Sequence, residues 1–171
     1  MEPGRPSKFT YCFPSIIKLM LTRRNSWLVG PNWPNGGEID IIEGVNQQST
    51  DSMTLHTADG CSINNSGFTG SLSTSNCYID ASGQGTNAGC GIQSTSTASY
   101  GDGFNNVGGG VYAVEWTSDV ISIWEFSAGS VPGDISSGNP NPSGWGTPAA
   151  QYQGDCNIDQ FFYNNQIVCV K

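Results

Sequence analysis

Three acids fall within six residues, Glu38-Ile39-Asp40-Ile41-Ile42-Glu43, and every residue between them is isoleucine. Carboxylates set among β-branched apolar side chains belong to a pleated, half-buried strand. Bringing the three together requires a particular backbone. In a helix the two glutamates would stand about 140° apart around the axis and diverge. In a regular strand Glu38 and Asp40 share a face, and Glu43 takes the other. One extra residue, a β-bulge at Ile41 or Ile42, resets the alternation and aims all three carboxylates into one cleft. Two glutamates about 5–5.5 Å apart across a bound sugar are suited to retaining glycosidic cleavage, one as nucleophile and one as acid/base. Asp40, between them, would raise the proton affinity of a neighbour by like-charge repulsion, so that one acid stays protonated while its partner ionises.

Acids at alternate strand positions also protect an exposed sheet edge from aggregation, with no chemistry attached. The upstream flank, Trp33-Pro34-Asn35-Gly36-Gly37, tips the balance towards a cleft. It supplies an indole on which the C–H face of a sugar can stack, followed by two flexible residues. His56 is the sole histidine of the chain; alone, a strand histidine reads first as a hydrogen-bonded structural residue.

The elements that must position these side chains are short strands. From Trp27 onward apolar runs alternate with turn clusters, and the spacing predicts strands at about 38–43, 52–57, 111–117 and 120–126. The last two flank Thr117-Ser118-Asp119 and predict a hairpin. Residues 58–110 are rich in Gly, Ser, Thr and Asn and read as long loops stapled by cysteines; 129–149 reads as a surface loop. Little helix is predicted. Many short strands joined by turns give an all-β sandwich or jelly roll. At 171 residues one domain is expected, with length enough for a sizeable core.

Charge narrows the partners. All six basic residues lie at the ends (Arg5, Lys8, Lys18, Arg23, Arg24, Lys171), whereas every acid but Glu2 lies between 25 and 170. Such a body repels nucleic acid and anionic membranes, and neutral sugars fit it. No uninterrupted run of 18 apolar residues suggests a membrane span. Six cysteines without a Cys-x-x-Cys pair favour disulfides and an oxidising, extracellular setting over zinc or redox chemistry. Their connectivity stays open.

The run Gly30-Pro31-Asn32-Trp33-Pro34-Asn35-Gly36-Gly37-Glu38-Ile39-Asp40-Ile41-Ile42-Glu43-Gly44-Val45 resembles the catalytic strand of glycoside hydrolase family 16, in its fungal laminarinase-like branch. Similarity continues through Met53-Thr54-Leu55-His56-Thr57, Gly108-Gly109-Gly110-Val111-Tyr112-Ala113, Glu115-Trp116-Thr117-Ser118-Asp119 and Ser143-Gly144-Trp145-Gly146-Thr147-Pro148. The resemblance implies a concanavalin-like β-jelly-roll sandwich. It also implies endo-hydrolysis of β-1,3- or mixed β-1,3/1,4-glucans, with Glu38 as nucleophile, Asp40 as assisting acid and Glu43 as acid/base. His56 is implied to lie beside the acids and Trp33 to line the cleft, while Trp116 and Trp124 belong to the core. No cofactor or metal is expected, and a monomer acting on β-glucan is. The alternatives are glucan transglycosylation, a sugar-binding jelly roll without catalysis, and a truncated inactive homologue.

The resemblance covers roughly 27–168. Residues 1–25 match nothing in the family and read as an atypical leader, poor as a secretory signal because Pro14 and Lys18 interrupt its apolar stretch. Residues 26–171 read as a partial catalytic domain, a jelly roll short of strands at both ends. On that reading Cys156 is expected to lack its partner, which in the family lies beyond the position of Lys171.

Overall fold

The computed structural model describes residues 8–12, 25–162 and 167–170. They form two antiparallel sheets packed face to face. In chain order the strands are β1 (Lys8–Cys12), β2 (Ser26–Val29), β3 (Glu38–Glu43), β4 (Ser52–His56), β5 (Ser71–Leu72), β6 (Cys90–Gln93), β7 (Gly110–Trp116), β8 (Ile121–Ser127), β9 (Ala150–Tyr152) and β10 (Ile167–Val170). One sheet runs β10-β2-β3-β4-β6-β5 and the other β1-β7-β8-β9. The expected leader lies outside the described residues apart from β1, which pairs with β7, and Asn25. Among the described residues the α-helices are short: α1 (Gly101–Asn106), α2 (Gly133–Ser136) and α3 (Ile158–Phe161).

All four strands anticipated from the apolar pattern are present within a residue at each end. The expected hairpin joins β7 to β8, where Thr117 N–H donates to Val120 O at 2.9 Å and the Thr117 hydroxyl accepts from Asp119 and Val120 N–H. Period-two alternation builds the core. Leu28, Ile39, Ile41, Met53, Leu55 and Ile92 face inward from the larger sheet and meet Tyr112, Val114, Trp116, Ile121, Ile123 and Tyr152 from the smaller. Each such side chain, taken fully out of water, contributes about 1.5–3 kcal/mol.

The glycine-rich stretch is held covalently, as its cysteines suggest. Cys77 is bonded to Cys90 and Cys61 to Cys156. The second bond corrects the expectation for Cys156, whose partner lies 95 residues upstream, a separation that spacing rules cannot reveal. The loop after β8 folds back over the outer face of the smaller sheet. Trp145 packs edge-on against Trp124 and Phe126, and Asp134 collects the Trp145 indole N–H and the backbone N–H of Asn141 and Ile135. Trp116 and Trp124 are buried, as expected of core residues, and Trp116 stacks edge-on against Phe162.

Two acids break the apolar interior. Asp51 is in phase with Met53 and Leu55, and Glu125 with Ile121 and Ile123, so alternation turns both carboxyls between the sheets. Asp51 is fully buried. Glu125 Oε2 accepts the Ser94 hydroxyl at 2.7 Å, and its carboxyl is a close electrostatic neighbour of that of Asp51. Burial raises the proton affinity of both. It outweighs the hydrogen bond from Ser94 and lifts Glu125 from 4.5 to about 7; Asp51 rises well above 3.8, with the nearby Glu125 charge adding to burial.

A carboxyl that holds its proton more tightly when folded than when unfolded favours the fold below its unfolded pKa, and that stability is lost as pH rises through the folded value. The melting temperature is therefore expected to fall between about pH 4.5 and 7, and Glu125→Gln to reduce that slope. Thermal melts across this range at fixed ionic strength test it, and an undiminished slope in the variant contradicts the assignment.

A candidate active site on the bulged strand

The bulge is where the acid spacing requires it. Against β4, Asp40 faces Thr54 and Glu43 faces Ser52, with a register shift between them. Three steps along β3 are matched by two along β4. Against β2, the adjacent residues Trp27 and Ser26 face Asp40 and Ile42, so that Ile41 has no place in the alternation. Ile39 and Ile41 are fully buried, and Ile42 also packs against the core. With two consecutive isoleucines turned inward, Glu43 returns to the face that carries Glu38 and Asp40.

The surrounding contacts fix these carboxylates. The turn before β3 brings the Trp33 indole N–H to Glu38 Oε2 at 2.7 Å, while 42% of Trp33 stays exposed. His56 stands opposite Glu38 in the β3–β4 register, and its Nε2 lies 3.0 Å from Asp40 Oδ2. Behind the ring, Gly89 adopts φ of +61°, and a Cβ there would come within 2.8 Å of His56 Nδ1. At the end of β3, Gly44 lies so close to the ring of Tyr100 that a Cβ would stand 2.5 Å from it. The Tyr100 hydroxyl donates to Gly44 O at 3.1 Å.

Electrostatics separates the acids by surroundings. Burial and the Asp40 charge raise Glu38, which the Trp33 N–H and the His56 charge partly offset by favouring the ionised form. Glu43 is raised by burial and then by Asp40, with His56 alone acting against them. Burial opposes protonation of His56. Its hydrogen bond to Asp40 and the charges of Asp40, Glu38 and Glu43 outweigh that and raise it above 6.5. Among the described residues no group of three or more His, Cys, Asp or Glu side chains is arranged to hold a metal ion.

The sequence-predicted residues Trp33, Glu38, Asp40, Glu43 and His56 thus line one face of the larger sheet. Two neighbours escaped sequence reasoning. Trp27 and Thr54 sit beside Asp40 on either flanking strand. Only strand pairing identifies them, because nothing local marks Trp27 as a neighbour of Asp40.

A two-sheet jelly roll with a carboxylate-lined face and an exposed indole is the build of a carbohydrate-active domain. The signature of the XgeA-like, catalytic GH16 domain matches residues 24–170, and the chain belongs to that family. It is 48% identical over 145 residues to an endo-1,3(4)-beta-glucanase of Arthroderma benhamiae, covering 83% of this chain and 32% of that protein. Over an equal length it is 43% identical to a probable glycosidase of Schizosaccharomyces pombe, covering 34% of that protein. Among solved structures, GH16 laminarinase 16A from Phanerochaete chrysosporium, with beta-glucans in donor and acceptor sites, superposes with a TM-score of 0.80 at 42% identity, over 86% of this chain and 51% of that one. An elongating GH family 16 beta-1,3-glucosyltransferase gives 0.80 at 37% identity, over 99% of this chain and 56% of that one. The chain therefore spans about a third of the curated relatives and about half of the solved structures.

Because His56 is the sole histidine, its ring resonances report the site directly. The ring is expected to titrate above pH 6.5, and Asp40→Asn to lower that midpoint. The His56–Asp40 pair then supports folding below 6.5 and loses its contribution as pH rises through the higher, folded value. An NMR titration showing no change in Asp40→Asn contradicts the pairing.

Proposed function

We propose that this domain cleaves β-1,3- or mixed β-1,3/1,4-glucans internally by retaining double displacement. Glu38 attacks the anomeric carbon as the Glu43 carboxyl gives its proton to the departing glycosidic oxygen. The glycosyl ester on Glu38 is then released by water, whose proton returns to Glu43. Asp40 sets the balance of charge between the two glutamates, His56 holds Asp40, and Trp33 offers its ring to a sugar.

The observation carrying this reading is the single-residue bulge at Ile41, which sets Glu38, Asp40 and Glu43 on one face. The unequal surroundings of the glutamates agree with it. Burial and the Asp40 charge raise Glu43, as suits an acid, whereas Glu38 receives the Trp33 N–H, as suits an ionised nucleophile. The two disulfides support an extracellular setting. We assign residues 26–171 to the catalytic domain, joined in its smaller sheet by Lys8–Cys12, and take a monomer as the working unit.

Transfer of the glycosyl group to a second glucan in place of water uses the same residues, and the likeness to a beta-1,3-glucosyltransferase favours keeping it as the second reading. Product analysis separates the two. Hydrolysis shortens laminari-oligosaccharides with a new reducing end per cut, and transfer lengthens some at the expense of others.

Glu38→Ala is expected to lower laminarin cleavage at least ~10³-fold, with partial rescue by azide giving the α-glycosyl azide. Glu43→Ala is expected to lose laminarin cleavage by ~10²- to 10⁴-fold yet retain turnover of an aryl β-glucoside whose leaving group departs without a proton. Undiminished laminarin turnover in Glu38→Ala refutes the assignment.

A further inference from the structure

A β-bulge leaves part of the ladder unpaired, and the backbone N–H of Glu43 lies at its end. That N–H does not bond to a strand. It donates to Asp51 Oδ1 at 2.9 Å. Asp51 immediately precedes β4, whose first residue Ser52 is the register partner of Glu43. The Asp51 backbone is itself held on both sides: its N–H donates to Ser99 Oγ at 2.8 Å, and its carbonyl accepts Ser94 N–H at 2.8 Å and Gln93 Nε2 at 2.7 Å.

On its far side the Asp51 carboxyl meets Glu125 from the opposite sheet. Asp51 Oδ2 and Glu125 Oε1 are both buried with no hydrogen-bond partner. One proton held within the pair would supply the hydrogen bond that two bare carboxylates lack and would leave a single charge inside. Two charges in so dry a place would be far costlier, and even one acid pair costs stability compared with apolar packing. Its compensation is directional. An apolar side chain at 51 would fill the same space but give the Glu43 N–H no acceptor.

We propose that Asp51, braced across the sandwich by Glu125, is the positioning residue for Glu43, supplying through Oδ1 the acceptor that the bulge takes from the Glu43 backbone and so holding that carboxyl at its distance from Glu38. This rests on Glu43 acting as the acid/base. Asp51 touches no substrate; it acts through the peptide that carries Glu43. Asparagine at 51 keeps an Oδ1 acceptor and adds an N–H towards Glu125, whereas alanine removes both.

The test compares laminarin with an oligoglucoside bearing a 2,4-dinitrophenolate leaving group, which departs without protonation. Asp51→Ala is expected to lower kcat on laminarin about 10- to 100-fold with KM nearly unchanged, and to affect the dinitrophenyl substrate several-fold less. Asp51→Asn is expected to stay within about threefold of the parent on both. Equal losses of Asp51→Ala on the two substrates, or an Asp51→Asn as weak as the alanine variant, overturn the proposal. Glu43→Ala run alongside isolates the underlying reading: if it does not spare the dinitrophenyl substrate, Glu43 is not the acid/base. Amide hydrogen exchange provides a readout independent of turnover. Asp51→Ala should lose protection at Glu43 while Ile39 and Leu55 keep theirs, with Asp51→Asn protected at all three; uniform loss across β3 and β4 overturns the proposal.

Discussion

The geometry of the site depends on one interruption of strand alternation. A regular β3 would send Glu38 and Glu43 to opposite sides of the sheet, one to solvent and one into the core, where a lone carboxylate is prohibitively desolvated. Setting Ile41 outside the register keeps both Ile41 and Ile42 against apolar neighbours and returns Glu43 to the open face. The same residue serves the core and the cleft, so a change at Ile41 would alter both.

What lies behind the strand matters as much as what lies on it. The residues around the carboxylates fall into two sets with different physics. Trp33 acts from the open side through a hydrogen bond to Glu38, and His56 through a largely buried pair with Asp40. Asp51, Glu125 and Ser94 form a polar seam inside the sandwich, where a hydrogen bond is stronger and an unmet one is expensive. The seam joins the sheet carrying the acids to the sheet that backs it.

Much of this was readable from local pattern. Isoleucine between the acids identified the strand, the separation of Glu38 and Glu43 demanded a bulge, and the β7–β8 hairpin followed from its turn residues. Facts that rest on distant pairing were not readable. Trp27 becomes a neighbour of Asp40 only when β2 docks, and Cys156 finds Cys61 only when the loop after β9 closes on the start of another. Lys8–Cys12, within the stretch read as a leader, pairs with β7. Glu125 did carry a signal, an acid at the inward phase of Ile121 and Ile123, but the acid that meets it lies across the fold.

The distribution of charge has a consequence at longer range. Residues 25–162 carry no lysine or arginine, and among the described residues the histidine beside the carboxylates, His56, is already engaged by Asp40. Within the roughly 8 Å over which physiological salt leaves charges visible to one another, a polymer decorated with uronate or sulfate groups would be repelled by these carboxylates on approach. An uncharged chain would not, so the acids that could perform the chemistry also screen what reaches them.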